Sequence, residues 1–209
     1  MTKFLTEQDL NHEFAKLIST AKQKIILISR IIKLHERFIS LLKKKSDDRK
    51  FEITIVFGNS EGDISKSMKA EDFDFFRQFK NIEIRHDEWL HTNYYANESS
   101  AILTSMNLYD YPHDNYLETG IFLKRSLFRA GLDAGPGDDA WKYFETVARQ
   151  AKVVFRKSPK FKVKYFGLSK RYVDSTVDID DLSNAFNNEP SNGNGKIQLK
   201  DIMKIALPV

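Results

Sequence analysis

The most constraining stretch of this chain is Lys24-Ile25-Ile26-Leu27-Ile28-Ser29, because four consecutive bulky aliphatics leave neither face of a strand for water. Such a strand must be buried on both sides, and that requires a sheet with helices packed on each face. The flanking sequence offers those helices. Upstream, Phe4-Leu5 reads as a short first strand. Leu10, Phe14, Leu17, Ile18 and Ala21 then recur at helical spacing, with Thr6 as the expected N-cap and the acids Glu7 and Asp9 in the first turn. Downstream, Leu34, Phe38, Leu41 and Leu42 line a helix ending in Lys43-Lys44-Lys45, read as a solvated helix end. Phe51 to Phe57 is a second apolar strand, stopped by Gly58-Asn59. Met68, Phe73, Phe76 and Phe79 mark another helix with Glu71, Asp72 and Asp74 expected outward, and Ile82 to Ile84 alternates as a strand. The order β-α-β-α-β-α-β followed by three strands predicts an α/β layered fold with a mixed sheet.

Composition narrows the chemistry. The 209 residues contain no cysteine, which removes disulfides and thiolate metal sites, and the five histidines form no close pair, so neither a metal nor a cofactor is expected. No apolar run approaches the roughly 20 residues of a membrane span. The amino terminus MTKFLTEQDLNHEF has acids where a signal peptide would be apolar, so the expected location is cytoplasmic.

Polar groups gather between His91 and Gly120. His91 heads a run containing Tyr94 and Tyr95; the apolar Ala101-Ile102-Leu103 leads into Thr104, Ser105 and Asn107; Asn115 and Glu118 precede Gly120 and Ile121-Phe122-Leu123. This reads as strand, turn, strand, polar loop, strand, with imidazole, amide, hydroxyl and carboxylate groups where strands end. The spacing resembles the phospholipase D superfamily, in particular its small bacterial nuclease-like members with a single motif. That motif is His, any residue, Lys, four residues, Asp, followed by Gly/Ser-Ser-x-Asn and then Asn-x-x-Glu-x-Gly. His91 stands at the His position, Thr104 to Asn107 at the small polar segment, and Asn115 to Gly120 at the last. The motif is degenerate: Asn93 sits where the lysine belongs and Glu98 where the aspartate belongs. The resemblance spans roughly residues 4 to 125 and implies a mixed β-sheet sandwiched between helices.

The resemblance also implies a mechanism. His91 would attack phosphorus, a second histidine would protonate the leaving oxygen, and Glu118 would hold His91 in the correct tautomer. Asn93, Ser105, Asn107 and Asn115 would line the phosphate site. An asparagine donates a hydrogen bond but carries no charge, and removing one donor from a developing oxyanion typically costs ~10²–10³ in rate. The expectation is therefore a phosphodiester-binding domain, directed at nucleic acid, with phosphodiesterase activity weakened or lost. The alternatives are an active metal-independent phosphodiesterase or nuclease working through a phosphohistidine at His91, and a non-catalytic dimeric scaffold. A single-motif chain of this family builds its site across a two-fold axis, so a homodimer is implied.

Gly131 and Gly135-Pro136-Gly137 mark a loop before a helix expected from Ala140 to about Val154, with Trp141, Phe144, Val147 and Ala148 inward. Residues 1–155 are read as the phospholipase D-like domain and 156–209 as a basic, aromatic extension with a flexible linker and a short terminal helix that could recruit a protein partner. Net charge is only +4, but residues 151–172 hold Lys152, Arg156, Lys157, Lys160, Lys162, Lys164, Lys170 and Arg171 without one acid, interleaved with Phe161, Tyr165, Phe166 and Tyr172. That pattern suits a nucleic-acid backbone or an extension folded back on the core.

Overall fold

The computed structural model describes residues 2–58, 64–108, 117–125, 135–164 and 169–187. In chain order the elements are β1 (Thr2–Thr6), α1 (Glu7–Thr20), β2 (Lys24–Ser29), α2 (Glu36–Lys43), β3 (Glu52–Phe57), α3 (Ile64–Ser67), α4 (Ala70–Phe76), β4 (Ile82–His86), β5 (Asn93–Asn97), β6 (Ser100–Thr104), β7 (Thr119–Lys124), α5 (Pro136–Gln150), β8 (Lys152–Lys164), β9 (Ser169–Asp180) and α6 (Asp181–Asn187). The described strands form one mixed sheet in the order β1-β7-β6-β5-β2-β3-β4-β8-β9.

The apolar run of β2 is at the middle of this sheet, parallel to β3 and antiparallel to β5. Its side chains alternate between two cores. Ile25 and Leu27 join Phe14, Leu17 and Ile18 of α1, Phe38 of α2 and Phe73 and Phe76 of α4. Ile26 and Ile28 join Trp141, Phe144 and Ala148 of α5 on the other face. Each such aliphatic removed from water contributes about 1.5–3 kcal/mol, so this strand alone favours the two-sided layering.

Several expectations change in detail. Val153 and Val154 lie in β8 rather than in the preceding helix, because α5 starts earlier, with Pro136 in its first turn, and ends at Gln150. Asp72 faces inward: its carboxylate accepts from Leu34 N at 3.0 Å, and burial raises its pKa against the opposing hydrogen bond from Leu34. Lys45 is not a solvated helix end, since its ammonium donates to Ala21 O at 2.6 Å and closes the carboxyl end of α1. Thr6 is the N-cap residue of α1 without making a side-chain capping bond. The expected domain boundary after residue 155 falls inside β8, and Leu182 and Ala185 of α6 return to the main core. The expected linker and terminal helix, residues 188–209, lie outside the described residues.

Candidate functional site

Strands β2, β3 and β4 run parallel, and at their carboxyl ends β5 begins, β6 ends and β7 begins. In open α/β sheets this carboxyl edge is where ligands are held. Ser29, the last residue of β2, organises it: its hydroxyl lies 2.8 Å from Ile31 O and 3.0 Å from Asn93 Oδ1, and accepts from Leu108 N at 2.9 Å. Tyr95 adds a bond from its hydroxyl to Met106 O at 2.8 Å, and its burial pushes the phenol pKa up, so it stays a donor.

Asn93 is buried at the head of β5 and tied into this lattice. Its Oδ1 accepts from Ser29 and from Arg30 N (3.3 Å), while Nδ2 donates to Ser105 O at 3.0 Å. It therefore positions the Ser105-Met106-Asn107 segment instead of facing solvent. Ser105 is exposed; its hydroxyl donates to the Glu118 carboxylate and accepts from Thr119 N at 3.0 Å. Thr104 seals the same corner with a 2.6 Å bond to Thr119 O. Asn107 is half-buried, and its Oδ1 is buried without a partner. His91 is exposed two residues before β5. Among the described residues the hydrogen bond expected between Glu118 and His91 is not made, because Glu118 takes Ser105. The structure thus brings His91, Ser105 and Glu118 to the ends of three neighbouring strands, β5, β6 and β7. Asn115 lies outside the described residues.

Glu98 sits at the opposite edge. Its carboxylate accepts from Lys22 N at 2.8 Å and from Gln23 N and Lys24 N at 3.4 Å. Burial alone would raise its pKa, but these backbone donors hold it below the ordinary range. Glu98 is thus a clamp on the turn between α1 and β2.

The electrostatics of the carboxyl edge come from two further residues. Arg30 follows β2; its Nε is buried without a partner, and it makes no ion pair among the described residues. Its stem crosses Gly58, where an added Cβ would stand 3.2 Å from Arg30 Cγ and 2.9 Å from Leu90 O, so only glycine allows the crossing beside the residue preceding His91. His86 ends β4 with Nε2 unpartnered and its ring edge-on to Phe57 at 5.0 Å. Burial, with help from Lys152 and against Asp87, brings its pKa down to about 4, so it is neutral at physiological pH. No group of three or more metal-ligating side chains occurs among the described residues.

No protein-family model matches the sequence, and no curated protein matches it. The folded chain does have structural relatives. It is similar to NucT from Helicobacter pylori with a TM-score of 0.56 at 11% identity, covering 73% of this chain and 98% of that one. It is similar also to Nuc from Salmonella typhimurium, a phospholipase D family member, with a TM-score of 0.50 at 11% identity, covering 73% of this chain and 97% of that one. The chain has a phospholipase D-like fold.

Within the phospholipase D-like fold, two of the residues that shape the site had no motif to announce them. Ser29 and Arg30 were legible only as polar residues ending a buried strand, a general signal that does not say which ones converge. Gly58 was legible as a strand stop, but its role as a crossing point for Arg30 depends on tertiary contact.

Proposed function

We propose that this chain is a phospholipase D-like domain that binds a phosphodiester, with nucleic acid as the class of ligand and with phosphodiesterase activity weakened or lost. The observation carrying this reading is that His91, Ser105 and Glu118 stand on three adjacent strand ends while residue 93 is a neutral, buried amide. The exposed imidazole is available as a nucleophile, while the Ser105 hydroxyl is committed to Glu118. The charge that would neutralise a pentacovalent phosphorus is absent from position 93, and Arg30 is the cation proposed to hold the ligand's phosphate. Two copies would complete the site by each bringing one His91. The exposed Trp89 and Leu117 (80% and 87%), which flank His91 and Glu118 in sequence, support such a self-association.

The test is turnover of a chromogenic phosphodiester in EDTA beside filter retention of labelled oligonucleotides. We expect retention that weakens steeply with salt and falls on Arg30→Gln, with turnover at least ~10²-fold below that of a lysine-bearing site. Fast turnover abolished by His91→Ala would replace this reading with the active phosphohistidine enzyme. Absence of retention even at low salt would remove the nucleic-acid part.

A further inference from the structure

We propose that the free end of the β8–β9 ribbon is a docking arm for B-form duplex DNA, separate from the carboxyl edge. Strand β8 pairs with β4 only from Lys152 to Lys157, and beyond Ser158 its ladder partner is β9 alone. At ~3.3 Å per residue the free part of a thirteen-residue strand reaches roughly 20 Å past the sheet. Isolated two-stranded ribbons are marginal in water. This one leaves Phe161 and Val163 exposed (41% and 61%), with an edge contact of Phe161 on Tyr172 at 6.0 Å and Arg49 over the Tyr172 ring at 5.3 Å.

The pleat sorts the charges. Lys162 lies directly opposite Arg171 at one register position and Phe161 opposite Tyr172 at the next, so this cation pair and this ring pair fall on opposite faces, while Lys160 stands opposite Asp174 and Val163 opposite Lys170. Like charges facing across a ladder destabilise it. Neither Lys162 nor Arg171 has a carboxylate partner among the described residues, and residues 151–172 contain no acid. At the base of the ribbon, on the ring side, Lys157 bonds to Arg77 O; its pKa is lowered by burial, then by Lys80 and Arg77, against Asp174. Lys162 and Arg171, two adjacent cations without a carboxylate partner among the described residues on a protruding element, call for a polymeric anion, more extended than one phosphate. A two-stranded ribbon fits the roughly 12 Å major groove of B-form DNA. The deep, narrow groove of an A-form RNA duplex does not admit it.

The experiment is fluorescence anisotropy on the full chain with DNA and RNA duplexes of about 20 base pairs, between about 50 and 200 mM salt. Lys162→Gln/Arg171→Gln should reduce the salt slope on DNA by about 1.8 and weaken binding at least ~10-fold at low salt. Lys3→Gln/Lys16→Gln, the same loss of charge at the far side of the sheet, should leave the slope unchanged. If the double variant melts early, Lys162→Gln alone should still remove about half of that change. An unchanged slope in the ribbon variants, RNA duplex bound as tightly as DNA, or retention on phosphatidylserine vesicles that DNA fails to displace would each overturn the inference. Loss of the slope on Arg30→Gln instead would move the DNA to the carboxyl edge, overturning this inference and leaving the proposed function standing.

Discussion

At its amino end β5 carries Asn93, and at its other end Asn97 with Glu98 just beyond; both ends use side chains to tie the strand to neighbouring backbone, yet only one of them closes. At the Glu98 end, Asn97 donates to Leu17 O at 2.9 Å and accepts from Ser99 N and Ser100 N, each at 2.9 Å. Glu98 gathers three backbone donors and Lys45 caps α1. Asn97, Glu98 and Lys45 leave no buried polar atom of their own without a partner. At the Asn93 end the lattice is equally dense, yet Arg30 Nε, His86 Nε2 and Asn107 Oδ1 are buried without partners. The other two such atoms are Tyr94 OH, on the α5 face with Arg125 and Glu145 as its charged neighbours, and Asp72 Oδ2 in the first turn of α4. Native proteins satisfy the great majority of buried polar groups, and departures cluster where function is held. The unsatisfied end is the one carrying His91, Ser105 and Glu118.

The sharpest way to break this contrast is Asn93→Lys, which installs the lysine that the sequence resemblance implies at this position. Because Asn93 is 6% exposed and spans Ser29, Arg30 and Ser105, the lysine would bury a charge with no partner and orphan Ser105 O. We expect a loss of about 4 kcal/mol in urea unfolding and no gain in phosphodiester turnover. A stable, active Asn93→Lys protein would show that the carboxyl edge can open to admit a lysine, and the two ends would no longer differ as described.

That expectation could not have been drawn from the chain alone. The layered fold was legible because Ile25 to Ile28 demand two covered faces and because Phe14, Phe38 and Phe73 recur at helical spacing, which are local, repeated signals. That His91, Ser105 and Glu118 fall at strand ends was legible as well, through the alternation of apolar runs and polar loops. What each polar group bonds to was not. Position 93 reads as a ligand-facing amide until Ser29, some sixty residues earlier, is brought beside it, and Asp72 reads as outward until the backbone of Leu34 meets it. Those partners are set by long-range packing, which spacing does not encode. The ribbon was legible as a basic, aromatic stretch, but the pairing of Lys162 with Arg171 needed the register of β8 on β9.

The second test reads the unsatisfied end by pH. The folded pKa of His86 is about 4 and its ordinary value 6.5, so between them the unfolded chain binds a proton that the native state excludes. Its contribution is whole above pH 6.5 and declines as pH falls toward 4, by about 3 kcal/mol in all. Urea midpoints across that range should fall steeply for the native chain and more gently for His86→Leu. Parallel curves would mean that His86 is charged or solvated, and that end would lose one of its unsatisfied groups.

Glu98→Ala probes the closed end and should cost about 2 kcal/mol, since it leaves Lys22 N, Gln23 N and Lys24 N without their carboxylate. Its folded pKa is depressed, so the carboxylate's stabilisation is present above its ordinary 4.5 and is lost as pH falls through the lower folded value. Acid titration of Glu98→Gln against the native chain checks the sign: the native chain should lose more stability over that interval.

The smallest effect is expected from Lys45→Met. Its ammonium caps the last turn of α1 through Ala21 O at 2.6 Å, with Ser19 O at 3.4 Å, and its stem lies against the Phe51 ring, 5.3 Å from Nζ to the centroid. Methionine keeps the stem's packing and removes the charge, so the loss reports the cap alone, about 1 kcal/mol, in the range of a cation at a helix carboxyl terminus. Burial lowers the Lys45 pKa, with Glu98 and Asp48 opposing, so part of the cap's strength depends on the neighbouring carboxylate. A double-mutant cycle with Glu98→Ala should therefore show coupling of about 0.5 kcal/mol or more, as residues of one network do. Strict additivity would mean that the turn clamp and the helix cap act separately, and that the closed end is two local solutions rather than one connected lattice.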